Sequence, residues 1–220
     1  AGPHKLGANV SIVSRMALKK DLICIIQKGV QYKIPVIIGS AGGAGAKAHV
    51  EHTLDVIKEI IEELNVQPKI GVIWADFTQE EIQYAITEER ISPLSINIAP
   101  LTREAVEKTT TIVAQMGHEP ILEALENQCD IIVCGRSYDP SPFAALGIFH
   151  GMNEGLSYHL GKILECGALC ATPGTTKDCI LGTIKEGSFT VQALNPIRQC
   201  TATSVAAHTF YEKEHPFILH

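Results

Sequence analysis

The stretch from Ile34 to Leu64 constrains the fold of this chain more than any other. Ile34-Pro-Val-Ile-Ile38 has the length and apolar character of a buried strand. The glycine-rich segment 39–45 follows, and then Val50, Leu54, Ile57, Ile60, Ile61 and Leu64 recur at helical spacing over 47–64. A change of period from strand to helix across glycines is the mark of an α/β unit, whose strands pair in parallel and need cover on both faces.

The same alternation extends along the chain. Leu18, Leu22, Ile25 and Ile26 predict a helix over 17–30, and Ile70-Gly-Val-Ile-Trp74 a second strand. Thr78 with Glu81 three residues on forms a capping box opening a polar helix, 78–89. An extended segment is expected near Ser95–Ile98, a helix from Thr102 to about Gln115, and a short helix over 119–127. Ile131–Cys134 reads as a third buried strand, and 141–170 as largely helical. Cys179–Lys185 and Ser188–Leu194, joined through Glu186-Gly187, read as a hairpin; 200–210 fits strand or helix. The expected fold is α/β: a three-layer Rossmann-like domain with a mostly parallel sheet, plus a β-hairpin near the C-terminus. Residues 1–175 would form the ligand-binding domain and 176–220 a β-rich extension packed on it.

Hydrophobic residues make up 45% of the 220 and charged residues 19%, enough to bury a substantial core. The net charge is −6 and no basic run exceeds Lys19-Lys20, which argues against nucleic acid as a partner. No apolar run approaches the roughly 18–20 residues that span a bilayer, and the opening residues lack the features of a signal peptide. Seven cysteines, an odd number scattered through the chain, read as reduced thiols of a cytoplasmic protein. Cys166-x-x-x-Cys170 is the only close pair in sequence, and no metal site is expected. With no initiator Met at its head, the chain is expected to have its true start upstream.

Three segments carry candidate chemistry. In the first, Gly39, Ser40, Gly42, Gly43 and Gly45 precede a helix start, where bare N–H groups and the positive dipole end suit an anion; His49 and His52 stand in the first turns. Gly43-x-Gly45-x-x-Ala48 fits a dinucleotide-binding template, but its acidic partner is missing from the end of the next strand, Asp76 lying beyond it. Glycines needed only for close helix–sheet packing are the alternative. In the second segment, Cys134-Gly-Arg-Ser-Tyr-Asp-Pro-Ser141 leaves a strand at its carboxyl end. Arg136 offers a fixed cation, and Asp139 a general base or a partner for Arg136. The bland alternative is a structural pair, with Asp139 capping the next helix. In the third, His159, Lys162 and Cys166 share a helical stripe with Glu165 alongside, an acid–base or nucleophile set, or else a small buried thiol beside a solvated lysine. His118 reads as a surface residue at a helix end.

The segments IGSAGGAGA (38–46), VAQMGHEPILEAL (113–125), CGRSYDPSPFAAL (134–146), YHLGKILECGA (158–168) and SVAAHTFYEKEHPF (204–217) occur in one order. With them, and with GPHKLG (2–7) and SIVSRMALKKDL (11–22), the chain resembles the acyclic terpene utilisation (AtuA-like) family. Gly43, where a Thr or Ala is expected, and His118, where a small or apolar residue is expected, depart from the pattern. The resemblance implies a partial member, since members extend further at both ends. It also implies a role in catabolism of acyclic terpenes and other branched acids through CoA thioesters. Carried over, Gly39, Ser40, Gly42, Arg136, Asp139, Lys162, Glu165 and Cys166 match its motifs.

The leading expectation is an enzyme acting on a carboxylate or acyl-CoA thioester by a hydratase- or lyase-type step. The glycine loop and Arg136 would hold the small anionic substrate, CoA entering as part of it, and Asp139 or Lys162 with Glu165 would move the proton. A non-catalytic nucleotide- or CoA-binding module of a larger enzyme is the alternative. Self-association, or association with missing parts of the full-length protein, is expected, with no membrane partner.

Overall fold

The computed structural model describes residues 3–211; Gly2 and the end of the late motif, 212–217, lie outside them. The chain divides into two compact units. The first comprises residues up to Met116 together with Ala124–Ser137, and the second Gly117–Glu123 together with Tyr138 onward.

In the first unit the elements are α1 (Pro3–Ala8), α2 (Arg15–Tyr32), β1 (Val36–Ile38), a 3-10 turn (Ala41–Gly43), α3 (Lys47–Leu64), β2 (Ile70–Ile73), β3 (Asp76–Phe77), α4 (Gln79–Thr87), α5 (Arg103–Glu107), β4 (Ile112–Val113) and β5 (Ile131–Cys134). The short helix α6 (Glu119–Glu126) precedes β5. Strands β1, β5 and β2 form a parallel sheet in that order, with Val36 and Ile70 both in register with Ile131. As the central strand, β5 is buried along its whole length, which is why its four residues are apolar without alternation. Ile131 and Val133 join Val36 in a core with Leu22 and Ile26 of α2 and Val50, Val56, Ile57 and Ile60 of α3. On the opposite face, Gly71 lies so close to Cys129 that a Cβ there would sit 2.9 Å from the Cys129 Sγ. Ile57 is fully buried, so Ile57→Val should cost about 1 kcal/mol of unfolding free energy, read from the urea midpoint.

The sheet is smaller than the expected three-layer arrangement: three parallel strands, with two antiparallel pairs elsewhere. One of these is unanticipated. The helix expected from Thr102 to Gln115 stops at Glu107, and Ile112–Val113 pairs with β3 instead. Thr109, Thr110, Thr111, Ile112 and Val113 are all β-branched, a run that favours extended backbone over helix. The segment 95–98, expected extended, turns back on itself through the Ile98 N–H bond to the Ser95 carbonyl (3.1 Å). Helix α4 has the expected capping box, Thr78 Oγ1 accepting from Glu81 N (3.1 Å) and the Glu81 carboxylate from Thr78 N (2.8 Å).

The second unit holds α7 (Ser141–Phe149), α8 (Glu154–Leu164), a 3-10 turn (Gly167–Cys170), β6 (Ile180–Lys185), β7 (Ser188–Ala193) and α9 (Ala202–Thr209). Helix α8 packs closely because its Gly161 has no side chain: a Cβ there would lie 2.7 Å from the Pro140 carbonyl oxygen. The hairpin β6–β7 turns through Glu186-Gly187 as expected, Lys185 pairing with Ser188. Its inward face meets α8 through Gly182, whose Cβ position lies 2.9 Å from Leu164 Cδ1. Beyond the hairpin, the Arg198 guanidinium pairs with Asp178 and holds its carboxyl below the usual carboxylate range. Of residues 200–210, Ala202–Thr209 form the helix α9, capped by Thr201 and Ser204. No helix among the described residues is long and apolar enough to cross a membrane.

Candidate functional site

Adjacent parallel strands β1 and β5 end side by side, and their exit loops are stitched together. Ser40, the second residue past β1, has φ 41° and ψ 56°, in the left-handed region. Among the described residues six non-glycines have positive φ, and the other five stand at or just past helix ends. Ser40 alone sits at a strand exit, where such backbone persists only if its surroundings hold it. They do: its Oγ accepts from the Ser137 N–H (3.1 Å), lies 3.4 Å from Arg136 Nη1, and donates to the Ser137 carbonyl (3.2 Å). One hydroxyl supplies one donor and two acceptor directions, and all three are used. The Gly45 carbonyl accepts from Arg136 N (3.0 Å). The two segments singled out in the sequence, 39–45 and 134–137, thus meet at the carboxyl edge of the sheet, where open α/β sheets bind ligands.

The start of α3 differs from expectation. Asp76, separated from the glycines by 31 residues or more and read as too distant, accepts the Lys47 N–H at 2.9 Å. The N–H groups of His49 and Val50 turn back to the Ala46 carbonyl. A carboxylate therefore already complements the helix dipole at this end. Beside it lies a cavity of about 480 Å³, lined among others by Lys47, Asp76, Gln79, Thr109 and Thr111. His49 does not stand in solvent: it is buried under Gly42, with both ring nitrogens lacking a hydrogen-bond partner among the described residues. A Cβ on Gly42 would lie 2.8 Å from His49 Cβ, and Gly42 has φ 64°, so only glycine fits.

In the second unit the expected helical stripe is incomplete. Helix α8 ends at Leu164 with Glu165 as its C-cap, and Cys166 lies two residues past that end. Lys162 pairs with Glu165, their side chains 21% and 6% exposed. The His159 ring packs edge-on to Phe189 at 5.0 Å. Asp139 is exposed and does not cap α7; Pro140 holds that position, with no side-chain cap. Cys134 is fully buried, and burial pushes its thiol up to about 12, which makes it a packing residue.

The group that sequence reasoning missed is Tyr158. Its hydroxyl lies 2.8 Å from His118 Nδ1 and 3.5 Å from the Oγ of buried Ser141, and its ring stacks on Tyr138 at 6.1 Å. In the Nε2–H tautomer, Nδ1 accepts the phenol proton, a pairing suited to proton transfer. His118, expected at the surface, is half-buried. The signal was faint: forty residues separate the partners, and only the tyrosine's place one turn before Lys162 marked it. Among the described residues no group of three His, Cys, Asp or Glu side chains is placed to hold a metal.

A family model described as "Acyclic terpene utilisation family protein AtuA" matches residues 16–214. That match lends no support to the expectation of a partial member. No curated protein and no solved structure matches the chain.

Proposed function

This chain belongs to the acyclic terpene utilisation family AtuA, and from that premise we propose that it is a metabolic enzyme binding a carboxylate or acyl-CoA thioester for a hydratase- or lyase-type step in branched-acid or acyclic terpene catabolism. The observation that carries this reading is the strained Ser40 held against Arg136 and Ser137 at the carboxyl ends of β1 and β5. The seat for the anionic group is the turn from Gly39 to Gly45 facing Arg136. Its glycines let a ligand approach the backbone closely, and the guanidinium offers a charged, forked set of donors. The start of α3 is the less favourable half of the loop, since Asp76 would repel a second anion there. Taken by itself, the second unit holds a hydrogen-bonded pair, Tyr158 with His118, of a kind suited to proton transfer.

Titrating the chain with CoA and short branched acyl-CoAs, by thermal shift and calorimetry, tests the reading. A ligand at 100 times its dissociation constant should stabilise the fold by about 2.7 kcal/mol. Arg136→Ala should weaken binding about tenfold or more through loss of a charge-assisted contact. Equal affinity in that variant would remove Arg136 from the site, and indifference to every CoA compound would refute the thioester reading. The alternative of a non-catalytic CoA-binding module gains from the mutual pairing of Lys162 and Glu165. It requires affinity to survive the loss of Asp139, Lys162 and Cys166 together, with no turnover.

A further inference from the structure

Cys170 interacts with Cys200, a cysteine distant from it in sequence. Thr172 and Gln199 form an antiparallel bridge, each N–H donating to the other's carbonyl (2.8 and 3.0 Å). That pairing lays Ala171 opposite Cys200 and brings the Cys170 thiol, at the end of the second unit's 3-10 turn, against the Cys200 thiol, just before the Thr201 cap of α9. The two differ in access, Cys170 being fully buried and Cys200 half-buried. From this placement we propose that Cys170 and Cys200 form a redox-active pair that closes to a disulfide, tying α9 to the 3-10 turn.

The difference in access sets the order of events. Burial, with the Cys200 thiol beside it, pushes the Cys170 thiol up to about 11, so it is a poor first nucleophile at neutral pH. Cys200 is the entry point. Its thiolate attacks one sulfur of a small-molecule disulfide; the S–S bond of the oxidant breaks, and one thiol leaves. The Cys170 sulfur, giving up its proton, then attacks the Cys200 sulfur and expels the second thiol. Two protein thiols are oxidised by two electrons, and one disulfide is reduced to two thiols. The backbone bridge between Thr172 and Gln199 ties together the segments that carry the two residues. Cys166, although nearer in sequence, takes no part.

Glutathione disulfide is the probe. The folded chain is incubated with it, its remaining thiols are alkylated, and the digest is mapped by mass spectrometry. The thiols of residues 170 and 200 should both be lost to one cross-linked peptide joining them, reversed by dithiothreitol, while the exposed Cys24 and Cys179 form only glutathione adducts. Cys166→Ser should cross-link as the wild type does. In Cys200→Ser, Cys170 should remain unmodified while the protein stays folded. A stable glutathione adduct on Cys200 beside a free Cys170, a link from Cys170 to Cys166, or seven thiols surviving would each overturn the proposal.

Discussion

Gly45→Ala should destabilise the protein by about 4 kcal/mol. Two independent penalties combine at this position. Gly45 has φ +70°, so any side chain is strained by about 1–3 kcal/mol. In addition, a Cβ would lie 2.2 Å from Arg136 N and 2.5 Å from Arg136 Cα. These are backbone atoms that cannot rotate away, and moving them adds about 1–3 kcal/mol. Gly151 and Gly187 isolate the first penalty, since they have φ of +76° and +73° with nothing within 4 Å of the added carbon. Gly151→Ala and Gly187→Ala should therefore each cost only about 1 kcal/mol. Urea unfolding of the three variants decides the matter. If Gly45→Ala costs no more than the other two, the close approach of the β1 and β5 exit loops is not what requires glycine at 45.

That contrast also explains what could be read from the sequence. Helix α3 was expected over 47–64 and spans Lys47–Leu64, because one apolar stripe and the glycines before it are local features. Strand β5 and the capping box of α4 were legible for the same reason. The junction of Ser40 with Arg136 was legible in its parts but not as a pair, since 96 residues separate them and the strand order β1-β5-β2 alone makes them neighbours. Asp76 shows the converse. It was set aside as too far in sequence from the glycine loop, yet it lies in β3, which pairs with β4, and accepts the first N–H of α3. Cys170 was matched with Cys166 by spacing, whereas an isolated bridge from a distant segment supplies Cys200. Where a helix ends was the remaining weakness. Cys166 was placed on a stripe that α8 does not extend far enough to include.

Lys162→Met should destabilise the protein by about 3 kcal/mol, and adding Glu165→Leu should recover most of that loss. The Glu165 side chain is only 6% exposed and its Lys162 partner 21%, so removing the ammonium takes an opposite charge away from a carboxylate in a poorly hydrated site. Removing one member of such a pair costs about 3–5 kcal/mol, while an apolar pair of similar volume is often neutral or better. Methionine keeps the stem of Lys162 but not the charge, which also lies 6.0 Å over the Tyr211 ring. The cycle separates the two roles open to this lysine. If it serves only to neutralise Glu165, the double variant regains both stability and whatever turnover the wild type shows. If it moves a proton in the reaction, the double variant is stable but inactive. A single-variant cost below about 1 kcal/mol would mean that solvent screens the pair as on an open surface.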